Sequence, residues 1–162
     1  MVSPEDAFVV LAELSLALAG FTGVVAAFGG RERDFNQIDQ MRLSMILWSS
    51  GGVLAGSLLL FVLSAGGLSA AAAYPAVGIS MALAQVVAYV RLNPRALSNL
   101  RDEATTVTSR SFSLGVAWTV AVIGLYVSTA FLGGEAWPLL AGYSLQLIWG
   151  LLVFSRLLTF SN

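Results

Sequence analysis

Residues Ala7 to Phe28 form a continuous apolar stretch in which Glu13 is the one charged side chain. An α-helix rises about 1.5 Å per residue, so a stretch of this length can cross the roughly 30 Å hydrocarbon core of a bilayer. Four more apolar runs of similar character follow along the chain. The sequence therefore predicts transmembrane helices, and this constrains the fold more than any other feature.

Composition supports the same interpretation. Of the 162 residues, 57% are hydrophobic and 10% are charged, and the mean hydropathy is +0.83. A soluble domain of this size needs more charged residues to cover its core. We predict an all-α, polytopic membrane helix bundle that forms a single transmembrane domain over residues 1–162.

Five spans are predicted from the apolar runs, at about 7–28, 43–63, 71–90, 112–132 and 136–155. Gly29 and Gly30 are expected to end the first helix, and a capping pair of Asp34 and Gln37 to start the second near Phe35. The glycine-rich segments 64–70 and 133–135 predict tight hairpins. In the long polar segment 91–111 a turn is expected at Pro94, with a short surface helix over 95–104.

All eight basic residues are arginines, and with five spans they fall on one side of the membrane. The positive-inside rule assigns that side to the cytoplasm, with cytoplasmic loops at 29–42 and 91–111. The N-terminus is then outside and the C-terminus cytoplasmic, and we expect the inner (plasma) membrane of a bacterium. The predicted cytoplasmic rim comprises Arg31, Arg33, Arg42, Arg91, Arg95, Arg101 and Arg110.

The chain contains no cysteine, no histidine and no lysine. This excludes disulfides, thiol nucleophiles and lysine imines, and it removes the usual protein ligands of haem, zinc and copper. We therefore expect no metal site, no cofactor and no enzymatic activity. The net charge of −1 gives no electrostatic case for nucleic acid as a partner.

Glu13 is the strongest candidate for a functional residue. A carboxyl group inside a span is costly and normally faces protein, water or a partner. One interpretation is a protonatable or cation-binding group on a transport pathway, with Gln85 and Gln146 lining or stabilising it. The alternative is that these three side chains form hydrogen bonds between helices and only stabilise the bundle.

Small residues predict where helices approach closely. Ser15, Ala19, Gly23 and Ala27 recur at every fourth position of the first span, so one face of that helix is expected to carry little bulk. In the second span, Gly52 and Gly56 form a GxxxG pair. Such packing could lie within one subunit or between subunits, and the sequence leaves both open.

The favoured functional hypothesis is a small non-enzymatic membrane protein that assembles into a homo-oligomer. The assembly would form a channel or transport pathway for a small ion or solute, because five slim helices enclose little room within one subunit. The alternative is an accessory subunit that scaffolds a larger membrane complex or anchors a cytoplasmic protein. Membrane lipid is an expected partner in both cases.

Overall fold

The computed structural model describes residues 3–32, 37–102 and 109–159, and for residues 28–32, 37–38, 92–102, 109–113 and 159 it describes the backbone alone. Five α-helices and no strands occur in these residues. They are α1 (Pro4–Glu32), α2 (Gln37–Ala65), α3 (Ala70–Asp102), α4 (Ser109–Phe131) and α5 (Trp137–Thr159). The all-α prediction is confirmed.

The first helix is longer than predicted at both ends. Ser3 caps it: the Asp6 amide donates to Ser3 Oγ at 3.1 Å, and the Ser3 amide donates to Asp6 Oδ2 at 3.4 Å. Together with Pro4 in the first helical position, this reciprocal pair starts the helix three residues before Ala7. The expected end at Gly29 and Gly30 is wrong, since α1 continues to Glu32. A glycine costs a helix only about 1 kcal/mol, which does not by itself end it.

Both glycine-rich segments contain glycines in a left-handed backbone conformation between two helices. Gly67 lies between α2 and α3 with φ +85°, and Gly133 and Gly134 lie between α4 and α5 with φ +69° and +80°. Side chains other than glycine rarely adopt this left-handed backbone conformation, so glycine is required at these turns.

Beyond the third span the structure differs from the prediction. A turn at Pro94 and a separate helix over 95–104 were expected, but α3 continues without a break from Ala70 to Asp102. A proline inside a helix removes one backbone hydrogen bond and costs about 3 kcal/mol, and helical neighbours on both sides can offset this. Asp34 and Phe35, expected at the start of α2, lie outside the described residues.

Each of the five helices is long and apolar enough to cross a membrane, so the chain is an integral membrane protein. The candidate spans are Pro4–Ala27, Asp39–Ala65, Ala70–Arg91, Leu114–Phe131 and Trp137–Leu158. Large apolar side chains on the outside of these helices, such as Phe61 and Phe131 at 71% and 82% exposure, suit contact with lipid. The side of the membrane on which each terminus lies stays a prediction.

The chain divides into two compact units. Unit 1 contains α1, α2 and the part of α5 that begins at Tyr143, and unit 2 contains α3, α4 and the start of α5 up to Gly142. That the chain acts as one domain also stays a prediction.

In unit 1 three helices meet at Gly150 of α5. A Cβ placed there would lie 3.1 Å from Leu18 Cδ2 of α1 and 3.3 Å from Ser49 Cβ of α2. About two helical turns before Gly150 in α5, the Tyr143 ring packs edge-on against Phe8 of α1, with ring centroids 5.9 Å apart. The absence of a side chain at Gly150 thus allows α1 and α2 to approach α5 closely.

In unit 2, the fully buried Tyr126 of α4 lies between two glycines. A Cβ at Gly78 of α3 would collide with Thr129 Oγ1 and lie 2.5 Å from the Tyr126 carbonyl oxygen. A Cβ at Gly142 of α5 would collide with the Tyr126 ring itself. Both glycines are therefore needed for the helices to pack at this distance.

Candidate functional site on the outer face of the first helix

Helix α1 packs against its own unit along one face only. Its buried residues are Phe8, Ser15, Leu18 and Thr22. At about 100° of rotation per residue, Thr22 lies about 180° from Glu13, and the other three lie within about 40° of that opposite direction. Glu13 is exposed, in agreement with this placement. Its carboxyl group therefore points away from the helices of its own unit.

Depth in the membrane makes this orientation unusual. Glu13 is nine residues after Pro4, the start of the span, which places it about 14 Å along the helix axis. The other charged residues of the described spans, such as Arg42 and Arg156, lie within three residues of a span end. Hydrocarbon strongly disfavours a carboxylate at such a depth. The outer face of α1 thus requires water, a polar group or a partner helix next to Glu13.

A seam of exposed residues runs through Glu13 along the outer face of α1. The positions alternate in steps of four and three residues, which keeps them in line along a slightly supercoiled helix. All seven are exposed. We call them the outer seam: Asp6, Val10, Glu13, Ala17, Gly20, Val24 and Ala27.

The outer seam differs from the row of small residues that was predicted to form one face of the first span. The predicted small-residue stripe does not stay on one face: Ser15 is buried, Ala19 half-buried, and Gly23 and Ala27 exposed. A row with a spacing of four residues turns by about 40° at each step, so over twelve residues it passes from the packed face to the outside. A spacing of alternately three and four residues would have identified the straight row.

Gln146 does not lie with Glu13. It is 3% exposed and lies on the face of α5 that also carries Tyr143 and Gly150, the residues that meet the packed face of α1. Glu13 and Gln146 are thus on opposite sides of the α1 axis. Gln85 belongs to unit 2, where it is half-buried and takes part in a polar or electrostatic contact.

Buried hydroxyl groups in unit 1 bond mainly to their own helices. Ser15 donates to the Ala12 carbonyl and Thr22 to the Leu18 carbonyl, both at 2.7 Å, and Ser50 donates to the Ile46 carbonyl at 2.8 Å. Hydroxyls in this arrangement have already used their hydrogen. They suit close packing of helices better than donation to a transported solute.

The glycine pair of α2 lies towards its buried face. Gly56 is buried and Gly52 half-buried, next to the buried Val53 and Ser57. In contrast to the outer seam, this pair therefore contributes to packing within the chain.

Of the predicted rim arginines, Arg42 and Arg91 have described side chains. Arg42 forms an ion pair with Asp39 at 3.2 Å at the start of α2, and Arg91 is exposed at the end of its span. The side chains of Arg31, Arg95, Arg101 and Arg110, and the whole of Arg33, lie outside the described part of the chain. That these arginines form a rim on the cytoplasmic side of the membrane stays a prediction.

Within the described residues, no three histidine, cysteine, aspartate or glutamate side chains group together as metal ligands would. Comparison of the chain with protein-family models, with curated proteins and with solved structures finds no match.

Proposed function

We propose that this protein forms a homo-oligomer in the membrane and that Glu13 provides a binding or protonation group on a pathway for protons or small cations. The observation that carries the proposal is the position of Glu13, inside the span and on the face of α1 that is turned away from its own unit. The polar residues inside unit 1 give less support to a transport pathway, because the hydroxyl groups there donate to backbone carbonyls of their own helices.

A symmetric assembly would place the outward carboxyl group of each copy next to a shared pathway. Copies related by an axis normal to the membrane would bring their Glu13 side chains to one depth around that axis. A ring of carboxyl groups attracts cations, and such rings act as selectivity elements in cation channels. Assembly also removes Glu13 from lipid, so the same contact serves stability and function.

Reconstitution into liposomes tests the proposal. The purified full chain should give one defined oligomeric mass by native mass spectrometry and should dissipate an imposed proton or potassium gradient. Glu13→Gln keeps the size of the side chain but removes its ability to ionise and to release a proton. We expect it to reduce the flux at least tenfold. Glu5→Gln is the matched control, because Glu5 is an exposed acid at the very start of the same helix.

A monomeric chain in nanodiscs, or a flux that is equal in the wild type and in Glu13→Gln, would contradict the proposal. Equal losses in Glu13→Gln and Glu5→Gln would also contradict it, because they would indicate a general effect of acidic charge rather than a site within the membrane.

The accessory-subunit hypothesis has one observation in its favour. α3 continues eleven residues beyond Arg91, the end of its span, which corresponds to about 16 Å of helix outside the membrane. A helix of this length could hold a soluble protein. A chain without flux that binds a defined second protein, and that loses it when residues 92–108 are deleted, would favour this function over a channel.

A further inference from the structure

We infer that the subunit contact of the proposed oligomer is made by α1 alone: the outer seam packs, in parallel, against the outer seam of a second copy of this chain. This inference rests on the homo-oligomer proposed above, and it adds which surface forms the contact and in which orientation.

The spacing of the outer seam is that of a helix–helix contact. Steps of four and three residues from Asp6 to Ala27 define the line along which two helices can stay in contact in a left-handed supercoil. The packed face of α1 has the same spacing, with buried residues at Phe8, Ser15, Leu18 and Thr22. α1 thus carries two such lines on opposite sides, and its own unit covers one of them.

The outer seam is also shaped for close approach. Ala17, Gly20 and Ala27 present almost no side chain, and a Cβ at Gly20 would meet none of the described atoms within 4 Å. Association of helices in lipid depends on such close contacts, because lipid offers an apolar side chain as good an environment as protein does. The flanks of the seam carry the bulky exposed residues Leu14 and Phe21, which suit lipid.

Glu13 indicates a second copy as the occupant. All copies insert in the same orientation, so two α1 helices side by side are parallel and their Glu13 residues lie at the same depth. A protonated carboxyl group donates one hydrogen bond and accepts others, so it pairs with a second carboxyl group. The contact is therefore complementary to itself, as a symmetric interface requires.

The absence of cysteine from the sequence makes a direct test possible. Single cysteines are introduced in the full chain at Ala17, Gly20 and Val24 of the seam and at Leu14 and Phe21 of its flanks. Each variant is oxidised in native membranes. A disulfide requires Cα atoms about 4.4–6.8 Å apart, so we expect cross-linked dimers at the three seam positions and at least fivefold fewer at the two flank positions.

A second pair of variants measures association without cross-linking. Gly20→Leu places a large side chain in the seam, and Gly23→Leu places the same side chain on the flank, where a Cβ is equally free of contacts in the described residues. We expect Gly20→Leu to lower the oligomer fraction at least tenfold and Gly23→Leu to change it less than twofold. Both variants should keep the thermal stability of the monomer.

The outcomes separate this inference from the proposed function. Strong cross-linking at Leu14 and Phe21, or equal association of Gly20→Leu and Gly23→Leu, would overturn the inference that the outer seam forms the subunit contact. If flux persisted in that case, the homo-oligomeric pathway would stand with a different contact. Cross-linking that follows the seam, in a chain without flux, would support the contact and overturn the pathway. A monomer in native membranes would overturn both.

Discussion

Substitution of Gly78 by alanine tests the packing of unit 2. A Cβ on Gly78 would collide with Thr129 Oγ1 and lie 2.5 Å from the Tyr126 carbonyl oxygen. These two atoms already form a hydrogen bond at 2.7 Å, and both residues are fully buried. Because one colliding atom belongs to the backbone of α4, rotation of a side chain cannot relieve the collision. The helices α3 and α4 must separate, or the hydrogen bond must break.

The expected magnitude follows from two opposing effects. Overpacking of a close-packed interior costs about 1–3 kcal/mol, whereas alanine stabilises an isolated helix by up to about 1 kcal/mol relative to glycine. Gly124→Ala on α4 is the matched control, because a Cβ there meets none of the described atoms within 4 Å. The difference between the two variants cancels the helix-propensity effect, and we expect Gly78→Ala to be less stable by about 1–3 kcal/mol.

Unfolding of both variants in mixed micelles of increasing sodium dodecyl sulfate content, followed by circular dichroism, gives this difference. Thermal unfolding should show the same order, with a midpoint lower by about 2–4 °C for each kcal/mol in a chain of this size. Equal stability of Gly78→Ala and Gly124→Ala would refute the close approach of α3 and α4 at Gly78, and with it the reason for glycine at that position.

Two further predictions concern a hairpin and a buried hydroxyl. Gly134→Ala combines a left-handed φ of +80° with a Cβ 2.5 Å from Ala71 Cα, so it should destabilise the chain by about 2–4 kcal/mol. Gly133→Ala should cost about 1–2 kcal/mol, because φ is +69° there but no described atom lies within 4 Å of the added Cβ. A larger loss of stability in Gly133→Ala than in Gly134→Ala, measured by detergent unfolding, would contradict this. Among the described residues Ser57 Oγ is buried without a hydrogen-bond partner, so Ser57→Ala should leave the free energy of unfolding unchanged or raise it by up to about 1 kcal/mol. Ser50→Ala removes a bond to the Ile46 carbonyl and should lower the free energy of unfolding by about 0.5–1.5 kcal/mol, and the opposite order in the same assay would show that the Ser57 hydroxyl is satisfied.

The number and the approximate position of the helices could be predicted because hydrophobicity acts over whole segments. A run of about twenty apolar residues has few alternatives in a membrane, and the turns after α2 and α4 carry the glycines that a left-handed backbone needs. Helix ends depend instead on single local contacts. The hydrogen bonds between Ser3 and Asp6 start α1 at Pro4 rather than at Ala7, and α3 continues through Pro94, where the sequence predicted a turn.

The composition and order of residues by themselves determined that the chain is a membrane protein, that it has five helices long and apolar enough to cross a membrane, and that Glu13 lies within one of these candidate spans. Only the tertiary structure decided which way Glu13 points. Hydropathy averages over all faces of a helix and so specifies depth but not direction. The direction of Glu13 was set by Phe8, Leu18 and Thr22, whose burial within unit 1 turned the carboxyl group outwards.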